Sequence, residues 1–165
     1  MLELDAAITC LERAPRLLRE LLAPIPAELL RRRRLAGKWT IHEHACHVAT
    51  VERDFFFERW RRFQEEARPE FTYFGGESNP DDYYLRMDLN RTLAEFDESR
   101  ARVVELARAA DADFWSRPAV HPQYTHYTPA IMVRHLMLHD QFHMYRIEEL
   151  WLTRDEFLSP APAPQ

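Results

Sequence analysis

The sequence predicts an all-α protein that folds as a four-helix bundle, and three observations support this fold class. Four long segments repeat apolar residues at helical spacing. Only three glycines occur against eleven prolines, which leaves few residues for the tight turns of an all-β chain. No segment shows the alternation of apolar and polar residues that indicates a strand. Amphipathic helices of this length pack as one bundle, which we expect over residues 1–155 as a single domain.

The first helix is predicted over about residues 2–22. Its apolar stripe consists of Leu4, Ile8, Leu11, Leu18 and Leu22. Pro15 interrupts this pattern and should either kink the helix or mark a late start. Residues 23–38, which include Pro24 and Pro26, are predicted to form a connection that could contain one extra helical turn.

The second helix is predicted to begin after Thr40, which is a good N-cap residue. Glu43 lies three residues later and completes a capping box. The apolar side chains of this helix are Ile41, Ala45, Val48, Val51 and Phe55. The pattern extends to about Glu66, before Pro69 and the glycine pair at 75–76 break it.

The third helix is predicted to begin at Asn79 and Pro80, because acidic residues follow this pair and face the positive end of the helix dipole. Its stripe consists of Leu85, Leu89, Leu93, Phe96, Val103, Val104 and Ala107. The fourth helix shows a similar start at Thr128 and Pro129 and runs to about Arg154. The tail at residues 156–165 is rich in proline and alanine, and we expect it to be disordered.

Composition excludes several classes of protein. The formal net charge is −5, and mild acidity repels phosphate, so we expect no nucleic-acid partner. The basic run Arg31–Arg34 is best interpreted as a solvated helix end or connection. Cys10 and Cys46 are too few for a disulfide framework. No apolar run approaches a membrane span, and acidic residues stand where a signal peptide needs basic ones, so we expect a cytoplasmic protein without membrane contact.

His139 and His143 lie four residues apart on the apolar face of the fourth helix, so their rings project the same way, one turn apart. His135 lies one turn before His139 on the same face. A buried imidazole nitrogen without a partner costs roughly 1–3 kcal/mol, and one metal ion satisfies several nitrogens at once. From this helix alone, the histidines can be interpreted either as metal ligands or as hydrogen-bonded core residues.

His47 lies at the edge of the apolar arc of the second helix, where it can face a neighbouring helix. Three histidines from two helices would leave a position open for water or substrate, as in catalytic zinc sites. We expect His42 and His44 to lie on the surface rather than bind metal. His121 and His126 precede the fourth helix and are weaker candidates for the mouth of a pocket.

Three further residues bear on the site. Cys46 is interpreted as a small buried residue. Arg100 lies within the apolar stripe of the third helix and needs an acid or an anion, with Asp54 as a candidate partner. Arg146 follows His143 by about one turn and could bind a substrate carboxylate or pair with an acid. Structural and functional roles are both open for the two arginines.

Two known kinds of metal protein are rejected. The segment from His139 to His143 is similar to the HExxH motif of zinc proteases, with Asp140 in place of glutamate. No third ligand follows at a suitable distance, and no sheet is predicted that could bind a peptide. A carboxylate di-iron bundle needs Glu-x-x-His on two helices, and neither histidine-bearing helix has that motif.

Two motifs resemble the DinB-like superfamily of bacterial four-helix-bundle metalloproteins. The first, in the second helix, is Trp39-Thr40-x-x-Glu43-x-x-x-His47. The second, in the fourth helix after Thr128-Pro129, is His135-x-x-x-His139-Asp140-x-x-His143 followed by Ile147. The order and separation of the two motifs fit this superfamily, and the helical pattern agrees with it over about residues 1–155.

The resemblance implies an up-down-down-up bundle that forms a homodimer. It also implies a divalent metal on His47, His139 and His143, with Zn or Ni as the first candidates and Mn or Fe as alternatives. Relatives often carry glutamine where this chain has Arg146, so the change adds positive charge beside the site.

Four further residues are candidates for supporting roles at such a site. Glu43 is a candidate to orient the ring of His47. Arg146, Arg100 and His135 are candidates to anchor a substrate or to support the metal ligands.

Characterised relatives include enzymes that join a low-molecular-weight thiol to an electrophile. The resemblance therefore implies a metal-dependent thiol S-transferase or detoxification enzyme, with a small-molecule substrate and a bacterial thiol as partners. The metal would bind the thiol and lower its pKa. Two alternatives stay open: metal-assisted hydrolysis, and a non-enzymatic, stress-related bundle whose histidines hold a metal.

Overall fold

The computed structural model describes residues 4–34, 37–72, 79–80 and 82–153. Its helices are α1 (Leu4–Leu22), α2 (Ala27–Leu30), α3 (Ile41–Val51), α4 (Phe57–Glu65), α5 (Leu89–Ala109), α6 (Ala112–Trp115) and α7 (Pro129–Leu152). A π-helical turn, Glu52–Phe56, joins α3 to α4, and a 3₁₀ turn, Tyr84–Arg86, precedes α5. Two strands, β1 (Ala119–His121) and β2 (Tyr124–Tyr127), precede α7. The predicted tail at residues 156–165 lies outside the described residues.

Four rods form the bundle: α1, the continuous helix from α3 through the π-helical turn to α4, α5, and α7. The first rod packs against α5 and α7, and α3 packs against the same two helices. These contacts place α1 and α3 diagonally across the bundle and confirm the predicted four-helix fold. The up-down-down-up order stays a prediction. Within the described residues, no helix combines the length and hydropathy that crossing a membrane requires.

The helix starts follow their sequence signals in two cases. The capping box is formed as predicted: the Glu43 N–H donates to Thr40 Oγ1 at 3.2 Å, and the Thr40 N–H donates to Glu43 Oε2 at 2.7 Å. The hydroxyl of Thr128 caps α7 by accepting from the Ile131 N–H at 3.3 Å. Pro15 does not mark a late start, because α1 is already helical from Leu4.

The third long helix starts later than Asn79, so the predicted start is wrong. Asp88 caps α5 by accepting from the Arg91 N–H at 2.8 Å, and Met87 before it is extended. The residues ahead form the 3₁₀ turn, which buries Tyr84 with 4% exposure. This tertiary contact outweighs the local start signal.

The absence of strands was also a wrong prediction, because β1 and β2 form an antiparallel hairpin. Strands of three and four residues are too short for an alternating pattern to stand out in the sequence. The hairpin matters for the site because it buries Tyr127 and His121 on the inner side of the bundle.

A layer of buried charge crosses the bundle at Arg100. Its Nε donates to Glu52 Oε1 at 2.5 Å, and its Nη1 donates to Asp140 Oδ2 at 2.7 Å and to the Leu11 carbonyl at 2.9 Å. All three charged residues are at most 2% exposed. The predicted partner Asp54 is wrong, because Asp54 instead accepts from the Arg53 Nε at 2.8 Å near the surface.

This charged layer separates two apolar clusters. One cluster contains Phe56, Trp60, Phe63, Val103 and Val133. The other contains Leu18, Ala45, Val48, Phe96 and Ile147. Arg100 lies between Phe96 and Val103 along α5, at the level where the two clusters meet. Each rod contributes one group to this layer: the Leu11 carbonyl, Glu52, Arg100 and Asp140.

Candidate metal centre

Three histidines converge between α3 and α7. His47, His139 and His143 each offer one ring nitrogen, and these three nitrogens lie within 4.8 Å of one another. His47 and His143 are 4% and 7% exposed, whereas the His139 side chain is 20% exposed. The structure therefore brings together the three residues that the sequence motifs single out.

The positions of these rings follow from two features of the helices. The capping box fixes the start of α3 at Ile41, so that His47 lies nearly two turns inside the helix, on the side facing α7. In α7, His139 and His143 are one turn apart, and helix geometry points both rings the same way.

Neighbouring side chains hold two of the three rings. Tyr84 Oη lies 2.8 Å from His47 Nδ1 and also accepts from Asn79 Nδ2 at 3.0 Å. His44 Nδ1 lies 2.8 Å from His143 Nδ1. Both contacts use the Nδ1 atom and leave Nε2 for another partner, as is usual for metal-binding histidines.

The ring nitrogens that face one another fit a divalent metal ion. His47 Nε2 lies 2.8 Å from His139 Nε2, and the buried Nδ1 of His139 has no hydrogen-bond partner. Burial lowers the pKa of His47 to about 3, with repulsion from His139 adding to the effect, and also lowers the pKa of His143. All of these shifts favour the neutral imidazole, which is the form that binds a metal.

A cavity of about 790 Å³ opens beside these histidines. The basic residues that line it are His44, His47, His121, His135, His139, His143, Lys38, Arg59 and Arg146. The aromatic and apolar residues are Trp39, Val51, Phe55, Phe56, Tyr127, Met132, Leu136, Phe142 and Tyr145, with Gly37 and Gln123 completing the lining. Within the described residues, no carboxylate lines this cavity.

The sequence model of the DinB superfamily matches residues 11–147 of this chain. The chain belongs to the DinB superfamily. Its structure is similar to that of YfiT from Bacillus subtilis, with a TM-score of 0.78 and 22% identity over 90% of this chain and 85% of that chain. YfiT is described as "a probable metal-dependent hydrolase with an unusual four-helix bundle topology". At this identity the similarity shows a shared fold. None of the curated proteins matches the sequence.

In this DinB-superfamily protein, His42 and His44 are buried, so their predicted surface positions are wrong. They are 2% and 6% exposed, because the ten residues Ile41–Thr50 are buried against α5, α7 and the 3₁₀ turn. His42 Nε2 lies 3.1 Å from the Tyr84 carbonyl and holds the 3₁₀ turn in place. Burial lowers the pKa of His44 to about 4, with Arg146 adding to the effect.

The candidate supporting residues take different positions. Glu43 accepts from Arg33 Nη2 at 3.2 Å and fixes the helix start, whereas Tyr84 contacts His47. Arg100 lies in the buried layer and does not line the cavity. Nothing in the sequence marks Tyr84 as a partner of a histidine 37 residues away.

Three more of the residues singled out in the sequence line the cavity, and two do not. Arg146 lines the cavity and pairs with Glu149, and His135 lines the cavity one turn before His139. The prediction of a small buried Cys46 is confirmed, because the residue is 0% exposed and burial raises its pKa to about 12. His121 lines the cavity, whereas His126 is exposed and does not.

In metal-free protein, the free energy of unfolding should fall as the pH is lowered from about 6.5 to about 5. Unfolded histidines bind protons at about pH 6.5, whereas His44 and His47 have pKa values of about 4 and about 3 in the fold. The unfolded state therefore binds more protons in this window, and the stability present above pH 6.5 is lost on acidification. Each such group contributes up to about 1.4 kcal/mol per pH unit.

Urea unfolding in EDTA at several pH values measures this loss. Replacing the exposed His126 with glutamine should leave the pH slope unchanged, whereas His44→Gln should make it shallower. A free energy of unfolding that stays constant over the window in the wild type contradicts the prediction.

Proposed function

We propose that this protein is a metal-dependent hydrolase of a small organic molecule, with one divalent ion held by His47, His139 and His143. The observation that carries the proposal is the convergence of three histidine rings beside a cavity large enough for a substrate. Three protein ligands are the usual number in a catalytic zinc site, whereas a structural site has four. The description of YfiT, which has a similar fold, supports the same reaction class.

A divalent ion bound there would supply Lewis-acid activation of a nucleophile and of the group that it attacks. The chain supplies orientation and exclusion of water. Tyr84 and His44 hold the rings of His47 and His143, and Trp39 packs over His47 with ring centroids 4.8 Å apart. His135 lines the cavity one turn from His139, and burial lowers its pKa, so its neutral ring is a candidate to accept a proton from the nucleophile.

Thiol S-transfer is the second candidate, and one observation favours it. Among the described residues that line the cavity, no carboxylate can serve as a strong general base. A thiol has a pKa near 8.5, far below that of free water, so it needs less help to become a nucleophile. The electrophile and the thiol would then share the cavity.

Protein purified without a nickel column and loaded in turn with Zn, Ni, Mn and Fe separates these candidates. For hydrolysis, we expect turnover of p-nitrophenyl esters or lactones without added thiol, and loss of that turnover in His139→Ala. For S-transfer, we expect conjugation of 1-chloro-2,4-dinitrobenzene only when a thiol such as cysteine is present. Loaded protein that accelerates neither reaction contradicts both and favours the stress-related metal-binding bundle. The homodimer that the resemblance implies is checked by light scattering on the same samples.

A further inference from the structure

The cavity carries positive charge that the metal ligands do not explain. Lys38, Arg59 and Arg146 line it, and none of the carboxylates in the described part of the chain does. Arg146 pairs with Glu149, which neutralises much of its charge. Arg59 has no ion pair with any described carboxylate, so its charge faces the cavity without a counter-ion from that part of the chain.

The guanidinium of Arg59 is held in a fixed position. Its Nη1 donates to Tyr127 Oη at 3.2 Å, and its Nη2 donates to the Thr72 carbonyl at 2.9 Å. It also packs over the rings of Phe55 and Phe71, at 5.4 and 5.1 Å from their centroids. These contacts use two of the five N–H donors of the group, so three remain for a ligand.

Two hydrogen-bond donors, the first in contact with this guanidinium and the second stacked on the first, line the same cavity. Tyr127 is 1% exposed, and its hydroxyl accepts from Arg59 but donates to no acceptor in the described residues. His121 stacks on Tyr127 with ring centroids 4.4 Å apart, and its Nδ1 accepts from the Gln123 N–H at 3.2 Å. Burial lowers the pKa of His121 to about 4, so the neutral ring carries its hydrogen on Nε2 and can donate it.

The rest of this end of the cavity is apolar. Val51, Phe55 and Phe56 come from the α3–α4 rod, and Met132 and Leu136 come from the first two turns of α7. The histidine triad begins one turn further along α7, beyond His135. An apolar chain of a few carbons can therefore span from the guanidinium towards the triad.

We propose that Arg59, Tyr127 and His121 form a carboxylate subsite that selects substrates carrying a carboxylate on an apolar body. A fixed guanidinium binds a carboxylate through paired charge-assisted hydrogen bonds, which strengthen where water is excluded. A carboxylate should bind about 10- to 100-fold more tightly than an uncharged amide of the same shape. The preference for a carboxylate depends only on these three residues. Its role in choosing a substrate for catalysis rests on the proposed function.

The test compares 4-phenylbutyrate with 4-phenylbutyramide by calorimetry on metal-free protein in EDTA, where no metal can bind the carboxylate. Wild type should bind the acid at least about tenfold more tightly than the amide. Arg59→Gln should remove this preference, and Arg59→Lys should keep part of it. The matched control is Arg62→Gln, because Arg62 lies three residues away on α4, also packs over Phe71 and does not line the cavity.

Equal binding of acid and amide by wild type, or no binding of either, overturns the subsite. A preference that survives in Arg59→Gln, or that is lost in Arg146→Gln instead, also overturns it. Circular dichroism spectra of all variants confirm that each one folds. Binding is measured without metal, so metal-free protein can prefer the acid even if metal-loaded protein shows no turnover. Equally, metal-loaded protein can show turnover even if metal-free protein does not prefer the acid. The two failures are therefore distinguishable.

Discussion

Replacing Arg100 with methionine should lower the free energy of unfolding by about 3–5 kcal/mol. The change removes the cation between Glu52 and Asp140, which are 0% and 2% exposed. Two of their oxygens, Glu52 Oε2 and Asp140 Oδ1, already lack a hydrogen-bond partner. Burial raises the pKa of Glu52 above its ordinary value, and Arg100 opposes that shift. Without the arginine, both carboxyl groups must take up protons or remain as uncompensated buried charges.

Urea unfolding at pH 7.5 measures the effect. Arg102→Met is the matched control, because Arg102 lies on the same helix but pairs with Glu105 at the surface. Such an exposed pair contributes about 0–1 kcal/mol. The triple variant Glu52→Gln, Arg100→Met, Asp140→Asn should be more stable than Arg100→Met alone, since it leaves no buried charge unpaired. Equal losses in Arg100→Met and Arg102→Met contradict the assignment.

Replacing His139 with alanine should reduce bound metal from near one equivalent per chain to near zero. The variant removes one of three nitrogens that lie within 4.8 Å of one another. Removing a partner that only orients a ligand costs about 10- to 100-fold in metal affinity, so the loss of a ligand should cost more. Mass spectrometry after titration with Zn and desalting measures the content.

Two histidine variants serve as controls for this experiment. His135→Ala changes a cavity residue one turn away that is not part of the triad, and it should keep near one equivalent. His126→Ala changes an exposed position and should also keep it. Failure of wild type to take up any of Zn, Ni, Mn or Fe contradicts the metal centre, as does an equal loss in His135→Ala.

The helices and the pairing of His139 with His143 were predictable because both depend on local geometry, whereas the resemblance to the superfamily assigned His47 to the same metal. Residues four apart on a helix point the same way in any bundle, so His139 and His143 could be paired from the sequence. Side-chain caps such as Thr40 and Thr128 act within one turn, and both start their helices as predicted.

Contacts that depend on the packing of rods against one another could not be predicted. Arg100 clearly needed an acid, but whether Glu52 or Asp54 faced it depended on the π-helical turn and on how α5 packs against its neighbours. Tyr84 reaches His47 only because a strong local start signal at Asn79 yields to a 3₁₀ turn. Periodicity carries no information about either contact.

The π-helical turn at Glu52–Phe56 gives its segment a tolerance to a change in length. Hydrogen bonds in such a turn join residues five apart, so the turn holds one residue more than a turn of α-helix. Loss of one residue here should therefore restore a regular α-helix and leave Arg59 facing Tyr127. Loss of a second residue has no such turn to absorb it and should rotate α4 by about 100° relative to α3, which carries Arg59 away from Tyr127. We therefore expect relatives one residue shorter between His47 and Arg59 to keep both the triad and this wall of the cavity, and relatives two residues shorter to keep the triad alone.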